Sequence, residues 1–176
     1  AKNWADDIIE RSKSMKVGPG TDVTVDVCPV VSPQAKERIF NLIDSGVKQG
    51  ATLALDGRQV NVEGYPNGNF VGATVFTNVT REMDIYQQEI FGPVLCIVEV
   101  DTLDEAIEYI NSNPNGNGTS IFTNSGWAAH KYQNEIDVGQ VGINMPIPVP
   151  VAYFSFTGSR ASRLGPLGPN GKEAVK

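Results

Sequence analysis

Cysteine is scarce in this chain: only Cys28 and Cys96 occur in 176 residues. Two thiols cannot build a disulfide framework, and neither has a second Cys or a His beside it at metal-ligand spacing. A reducing compartment and no metal site are therefore expected. Histidine is confined to His130. There is no run of Lys or Arg, and the net charge is −6 with a pI near 4.8. That balance argues against capture by phosphate backbones or anionic lipid, so neither nucleic acid nor membrane is an expected partner. No apolar run approaches the roughly 20 residues that a membrane-spanning helix needs. The opening Ala1-Lys2-Asn3-Trp4-Ala5-Asp6-Asp7 has neither the apolar centre of a signal peptide nor an Arg-rich transit pattern, and no initiator Met. It starts inside an amphipathic pattern, which is expected of a piece of a longer polypeptide. Asn78-Val79-Thr80 and Asn117-Gly118-Thr119 match the glycosylation sequon, but without a secretory signal they carry no weight.

What is present suffices for a core, since 40% of the residues are apolar. Trp4, Ile8, Ile9 and Met15 share one helical face, stopped by Gly18-Pro19-Gly20. Ser32-Pro33 supplies an N-cap and a first-turn proline for a second helix, whose stripe is Ala35, Ile39, Leu42, Ile43 and Val47 and whose end is Gly50. Ala51 to Leu55 reads as a short strand, and Asp56-Gly57 before Val60 and Val62 predicts a small hairpin. Phe70 to Phe76 is rich in β-branched and aromatic residues and reads as a strand. The nearly continuous apolar run Val94 to Val100 suits a strand covered on both faces. Thr102-Leu103-Asp104-Glu105 is a capping box opening a helix that carries Ala106, Ile107 and Ile110 inward and stops before Pro114. A strand over Thr119–Thr123, a helix over Trp127–Ile136 and a strand over Val138–Asn144 follow. Strand, helix, strand, helix, strand is the α/β pattern. Pro146, Pro148 and Pro150 then exclude a helix or a central strand and leave an extended loop. Residues 1–163 read as one domain and 164–176, with little to bury, as a flexible tail.

Few motifs carry chemistry on their own. Gln88-Glu89-Ile90-Phe91-Gly92-Pro93, taken alone, reads as a solvated polar turn feeding a buried strand. Ser45-Gly46-Val47-Lys48 matches Ser-x-x-Lys without its companion motifs. Asn115-Gly116-Asn117-Gly118-Thr119 lacks the Lys-Ser/Thr ending and following helix of a phosphate cradle. His130 falls on the exposed side of its helix, and Cys96 reads as an inert small hydrophobe within a strand.

Glu89-Ile90-Phe91-Gly92-Pro93, followed by an apolar strand and a capped Leu-Asp-Glu-Ala-Ile helix, resembles the cofactor motif of the aldehyde dehydrogenase superfamily. Ser32-Pro33-Gln34-Ala35-Lys36-Glu37-Arg38-Ile39, Gly68-Asn69-Phe70-Val71-Gly72 and Gly139-Gln140-Val141-Gly142-Ile143-Asn144 resemble it in the same order. The loop Ile147-Pro148-Val149-Pro150 with Phe154-Ser155-Phe156-Thr157-Gly158-Ser159-Arg160 is most similar to the methylmalonate-semialdehyde dehydrogenase branch, where most relatives carry Gly-Gly-x-Lys. The resemblance implies the C-terminal part of a catalytic domain, a three-layer α/β/α fold with a mostly parallel sheet. It implies that Glu89 accepts hydrogen bonds from the nicotinamide-ribose hydroxyls of NAD and that Phe91 packs on that ribose, tasks that suit a carboxylate and a flat ring. Phe156 corresponds to an aromatic lining the aldehyde tunnel; a core phenylalanine is the equal alternative. No catalytic residue is expected within the chain: the nucleophilic cysteine of the family lies in a Gly-Gln-x-Cys segment, upstream of Ala1. Cys28, in Val27-Cys28-Pro29, stands where relatives have no nucleophile. The whole enzyme would oxidise methylmalonate or malonate semialdehyde with NAD and pass the acyl group to CoA, giving propionyl-CoA or acetyl-CoA, in valine or related catabolism. A homo-oligomer in the mitochondrial matrix or bacterial cytoplasm is implied, and this chain alone would be inactive. Relatives continue past Gly171-Lys172, and Arg163 to Pro169 fits their text poorly. The rival reading is a non-catalytic binding or assembly module derived from the same fold.

Overall fold

The structure, a computed structural model, describes residues 4–175. The first three residues of the opening segment and Lys176 of the expected tail lie outside them. The chain divides into two compact units that meet in sequence between Glu99 and Val100.

In the first unit, helix α1 spans Trp4–Lys13 and α2 spans Pro33–Lys48. The Ser32 hydroxyl accepts from the Ala35 amide at 3.1 Å, and Pro33 occupies the first turn, as the local chemistry predicts. Gly50 leaves the helix at φ 98°. Strand β1 (Thr52–Leu55) pairs antiparallel with β2 (Thr74–Thr77), which pairs parallel with β3 (Val94–Cys96); α3 (Asp84–Gln87) lies on the connection from β2 to β3. Thr74, Val75 and Phe76 of the central β2 are all buried, so both of its faces are covered. Ile39, Leu42 and Ile43 of α2 share one core with Val71, Phe76, Ile85 and Ile90, while α1 packs along β1 and β2. Helix–sheet layering follows from these contacts.

Three expectations need correction here. The hairpin at Asp56-Gly57 does not form. The Gly57 amide donates to the Thr74 hydroxyl at 3.0 Å and the Gly57 carbonyl accepts from the Gly72 amide at 2.8 Å, so β2 takes the pairing that Val60 and Val62 would have needed. Asp56 instead grips Arg58, which also reaches Asp44 of α2 at 2.5 Å. The Asp56 carboxyl is held below its ordinary range by the Arg58 hydrogen bond. The strand expected to be covered on both faces is the three-residue edge β3, and its Leu95 is 45% exposed. The Phe70 strand is likewise shorter than predicted, beginning at Thr74, because Phe70 and Val71 are buried without joining the ladder.

In the second unit, α4 (Leu103–Asn111) begins at Thr102, whose hydroxyl accepts from the Glu105 amide at 3.1 Å. The Glu105 carboxylate reaches back to the Asp101 amide at 3.0 Å, one residue earlier than a standard capping box. Strand β4 is Asn115–Gly116, β5 is Gly118–Ile121, α5 is Gly126–Glu135, β6 is Gln140–Ile143 and β7 is Ser159–Arg160. Strands β5 and β6 are parallel and flank α5 in sequence, the expected strand–helix–strand unit. Ile107, Tyr132 and Ile136 form its core with Leu103, Ile110, Ile121, Val138 and Val141. The predicted extended proline loop has no regular structure, and a short 3₁₀ turn spans Gly171–Val175. Among the described residues, no helix is long and apolar enough to cross a membrane, and no group of three or more His, Cys, Asp or Glu is placed to hold a metal.

Candidate functional site

The Glu89–Pro93 loop is braced by α2. Ile90 is buried in the first core and anchors the loop from below. A methyl group on Gly92 would stand 2.6 Å from Ile39 Cδ1 and 3.0 Å from Ile39 Cγ1, so a larger residue between loop and helix would force the fully buried Ile39 to shift. From the outer side, the Arg38 guanidinium donates to the Glu89 carbonyl at 3.0 Å and to the Ile90 carbonyl at 2.5 Å. Between these supports the backbone turns at Phe91 with φ 54°, in the left-handed region that a bulky residue seldom adopts. The turn throws the Phe91 ring outward, 75% exposed, with the exposed Glu89 two residues before it. An exposed carboxylate beside a presented flat ring on a fixed backbone can accept from a vicinal diol and pack against the sugar that carries it.

Phe156 belongs to the second unit. It is 37% exposed and lines a groove of about 430 Å³ together with Asn117, Gln140, Ile147, Pro148 and Val149. Gln140 holds that wall by donating to the Thr157 carbonyl at 3.0 Å. Thr119 and Ser120 also line it, so the groove combines amide and hydroxyl residues with the proline loop, a lining suited to a small organic molecule.

Immediately after it, Arg160 ties several chain segments together. It donates to the carbonyls of Asn113 at 2.8 Å, Asn115 at 2.9 Å and Ile110 at 3.3 Å, as well as to that of Asp137, and it pairs with the Asp137 carboxylate at 2.8 Å. Its own φ is 55°. The sequence reading missed both arginine roles, because the acceptors are main-chain carbonyls that any residue type supplies.

The remaining candidates fall where they were expected. His130 is exposed and bonds Asn134 on its own helix. Ser45 donates to Asp84 at 2.5 Å and is thus committed elsewhere than to Lys48. Cys96 closes β3, and burial pushes its thiol up to about 11, which suppresses the thiolate at neutral pH. Cys28 is exposed in an irregular segment before Pro29. Tested against the acylation that the family resemblance implies, Cys28→Ser in the full-length protein is expected to leave the acylation burst intact; loss of the burst with the protein still folded would place the nucleophile inside this chain.

Residues 1–176 match the aldehyde dehydrogenase family, so the chain belongs to that family. The mitochondrial acylating methylmalonate-semialdehyde/malonate-semialdehyde dehydrogenase of Bos taurus is 54% identical over 176 residues, covering 100% of this chain and 33% of that protein. The methylmalonate-semialdehyde dehydrogenase structure from Oceanimonas doudoroffii matches with a TM-score of 0.93 and 45% identity, over 99% of this chain and 37% of that one. A Sinorhizobium meliloti structure assigned to the same activity and complexed with NAD matches with a TM-score of 0.93 and 44% identity, over 97% of this chain and 35% of that one. The chain spans about a third of the length of the curated relatives it matches.

Proposed function

We propose that this chain forms part of an NAD-dependent, CoA-acylating aldehyde dehydrogenase that converts methylmalonate or malonate semialdehyde to propionyl-CoA or acetyl-CoA, as in valine breakdown. The observation that carries the reading is the braced loop presenting Glu89 and Phe91, in a chain more than half identical to the bovine enzyme. In this reading the Glu89 carboxylate accepts from the nicotinamide-ribose hydroxyls, and Phe91 forms the wall on which that ribose rests. The Phe156 groove contributes part of the aldehyde path. NAD, when bound, supplies the hydride acceptor. Neither Cys28 nor Cys96 suits the nucleophile, so the thiolate that takes up the acyl group and hands it to CoA comes from outside these 176 residues. The 176-residue polypeptide is inactive by itself. The eukaryotic relatives are named mitochondrial; the setting is read as the mitochondrial matrix or the bacterial cytoplasm, and the whole enzyme as a homo-oligomer.

The test is Glu89→Gln in the full-length enzyme, a change that keeps the side chain's size but removes its charge. It is expected to cost about 1.5–3 kcal/mol, the range for hydrogen bonds to a charged group. Weaker NAD binding and slower hydride transfer are the expected results. Wild-type values for both would return Glu89 to an ordinary solvated turn.

A further inference from the structure

The Glu89–Gly92 loop has a brace that its own residues do not supply. Ile90 and Gly92 fix it where it meets the core, but its outer edge carries two successive carbonyls, of Glu89 and Ile90, that the loop leaves to an outside donor. Arg38 fills that role from α2, with one guanidinium nitrogen on each carbonyl, at 3.0 and 2.5 Å. Its planar fork holds both peptide groups at once, which a lysine ammonium, a single point of charge, does less well. Those two peptide groups set where the Glu89 carboxylate points and how the chain enters the left-handed turn at Phe91. The neighbouring Ile39 supports Gly92 from beneath, so consecutive residues of one helix grip the loop from two sides.

We propose that Arg38 is a positioning residue for the nicotinamide-ribose site, its guanidinium holding the Glu89 and Ile90 carbonyls so that the Glu89 carboxylate and Phe91 ring stand ready for the ribose. This rests on the reading of Glu89 and Phe91 given above. Arg38 touches no reacting atom. It acts by removing the freedom that the loop would otherwise lose on binding.

Arg38→Met and Arg38→Lys are to be made in the full-length enzyme beside Glu89→Gln, with the affinities for NAD and AMP measured for each. AMP lacks the nicotinamide ribose, so a general loss of fold weakens both ligands, whereas loss of positioning weakens NAD alone. The expected result is NAD binding about tenfold weaker in Arg38→Met, AMP unchanged, and an intermediate NAD value in Arg38→Lys. If Glu89→Gln weakens NAD while both Arg38 variants bind it normally, the Arg38 assignment fails and the ribose reading stands. If Glu89→Gln binds NAD normally, the ribose reading fails and takes the Arg38 assignment with it. Parallel weakening of NAD and AMP in the Arg38 variants, or failure of both to fold, would make Arg38 a stability residue and overturn the proposal.

Discussion

Gly139→Ala is expected to lower the stability of the full-length protein by about 3 kcal/mol, the upper part of the usual range for overpacking. An alanine Cβ would stand 2.4 Å from the Thr157 carbonyl oxygen, 2.5 Å from Gly158 Cα and 2.7 Å from the Gly158 amide nitrogen. All three are main-chain atoms, so no rotamer change can relieve the contact and the 157–158 backbone must move. That movement pulls on Phe156 and on Arg160, which bracket the displaced segment. In the proposed enzyme, the KM for the semialdehyde should therefore rise more than the affinity for NAD falls. Gly126→Ala is the matching control, because a methyl group there meets no atom within 4 Å and the position opens α5. It should leave the thermal transition where it is or raise it slightly. Equal transitions for the two variants would mean that the close approach at Gly139 is relieved without consequence.

Arg160→Met carries the next largest effect, about 2–4 kcal/mol, because hydrogen bonds from a charged guanidinium are individually of the 1.5–3 kcal/mol kind and do not add. The side chain is 21% exposed, so water replaces its donors only in part. Four carbonyls and the Asp137 carboxylate would lose their common partner. The substitution also has a pH signature. The Asp137 carboxyl is held below its ordinary range by Arg160 first and by the Ser159 hydroxyl second. A folded-state value depressed in this way contributes stability that is fully present above the unfolded carboxylate value, near 3.9, and is lost as pH falls through the folded one. Wild type should thus lose this contribution below about pH 4, whereas Arg160→Met should lose only the smaller part that the Ser159 hydroxyl supplies. Unfolding midpoints compared at pH 7 and pH 3 read the difference. An unchanged acid response in Arg160→Met would separate Asp137 from Arg160 energetically.

Local rules were legible in the residues where their partners lay within one helical turn. Ser32 and Thr102 both cap as predicted because each hydroxyl answers an amide three residues ahead. The Val138–Asn144 and Thr119–Thr123 strands were readable for another reason, as short runs punctuated by turn residues, and they form over Gln140–Ile143 and Gly118–Ile121. The hairpin at Gly57 failed because its hydrogen bonds go to Gly72 and Thr74, a distance no dipeptide rule spans. At the candidate site, Glu89 and Phe91 could be singled out through a motif resemblance. What holds them, Arg38 fifty-one positions from Glu89, has no sequence mark, since its acceptors are backbone oxygens. Nor does residue type announce the left-handed φ of Phe91; phenylalanine is among the residues least expected there.

That backbone angle bears on any attempt to engineer heat resistance into the family. A bulky residue in the left-handed region stores about 1–3 kcal/mol that glycine would release, and an outward-facing ring gives little burial in return. Scored on folding alone, position 91 is an invitation to substitute glycine or asparagine, and the gain would be real. It would also erase the wall that the cofactor's sugar is proposed to lean on. Position 91 is where a thermostabilising programme and the enzyme's purpose pull in opposite directions, so it belongs on the list of sites to leave alone.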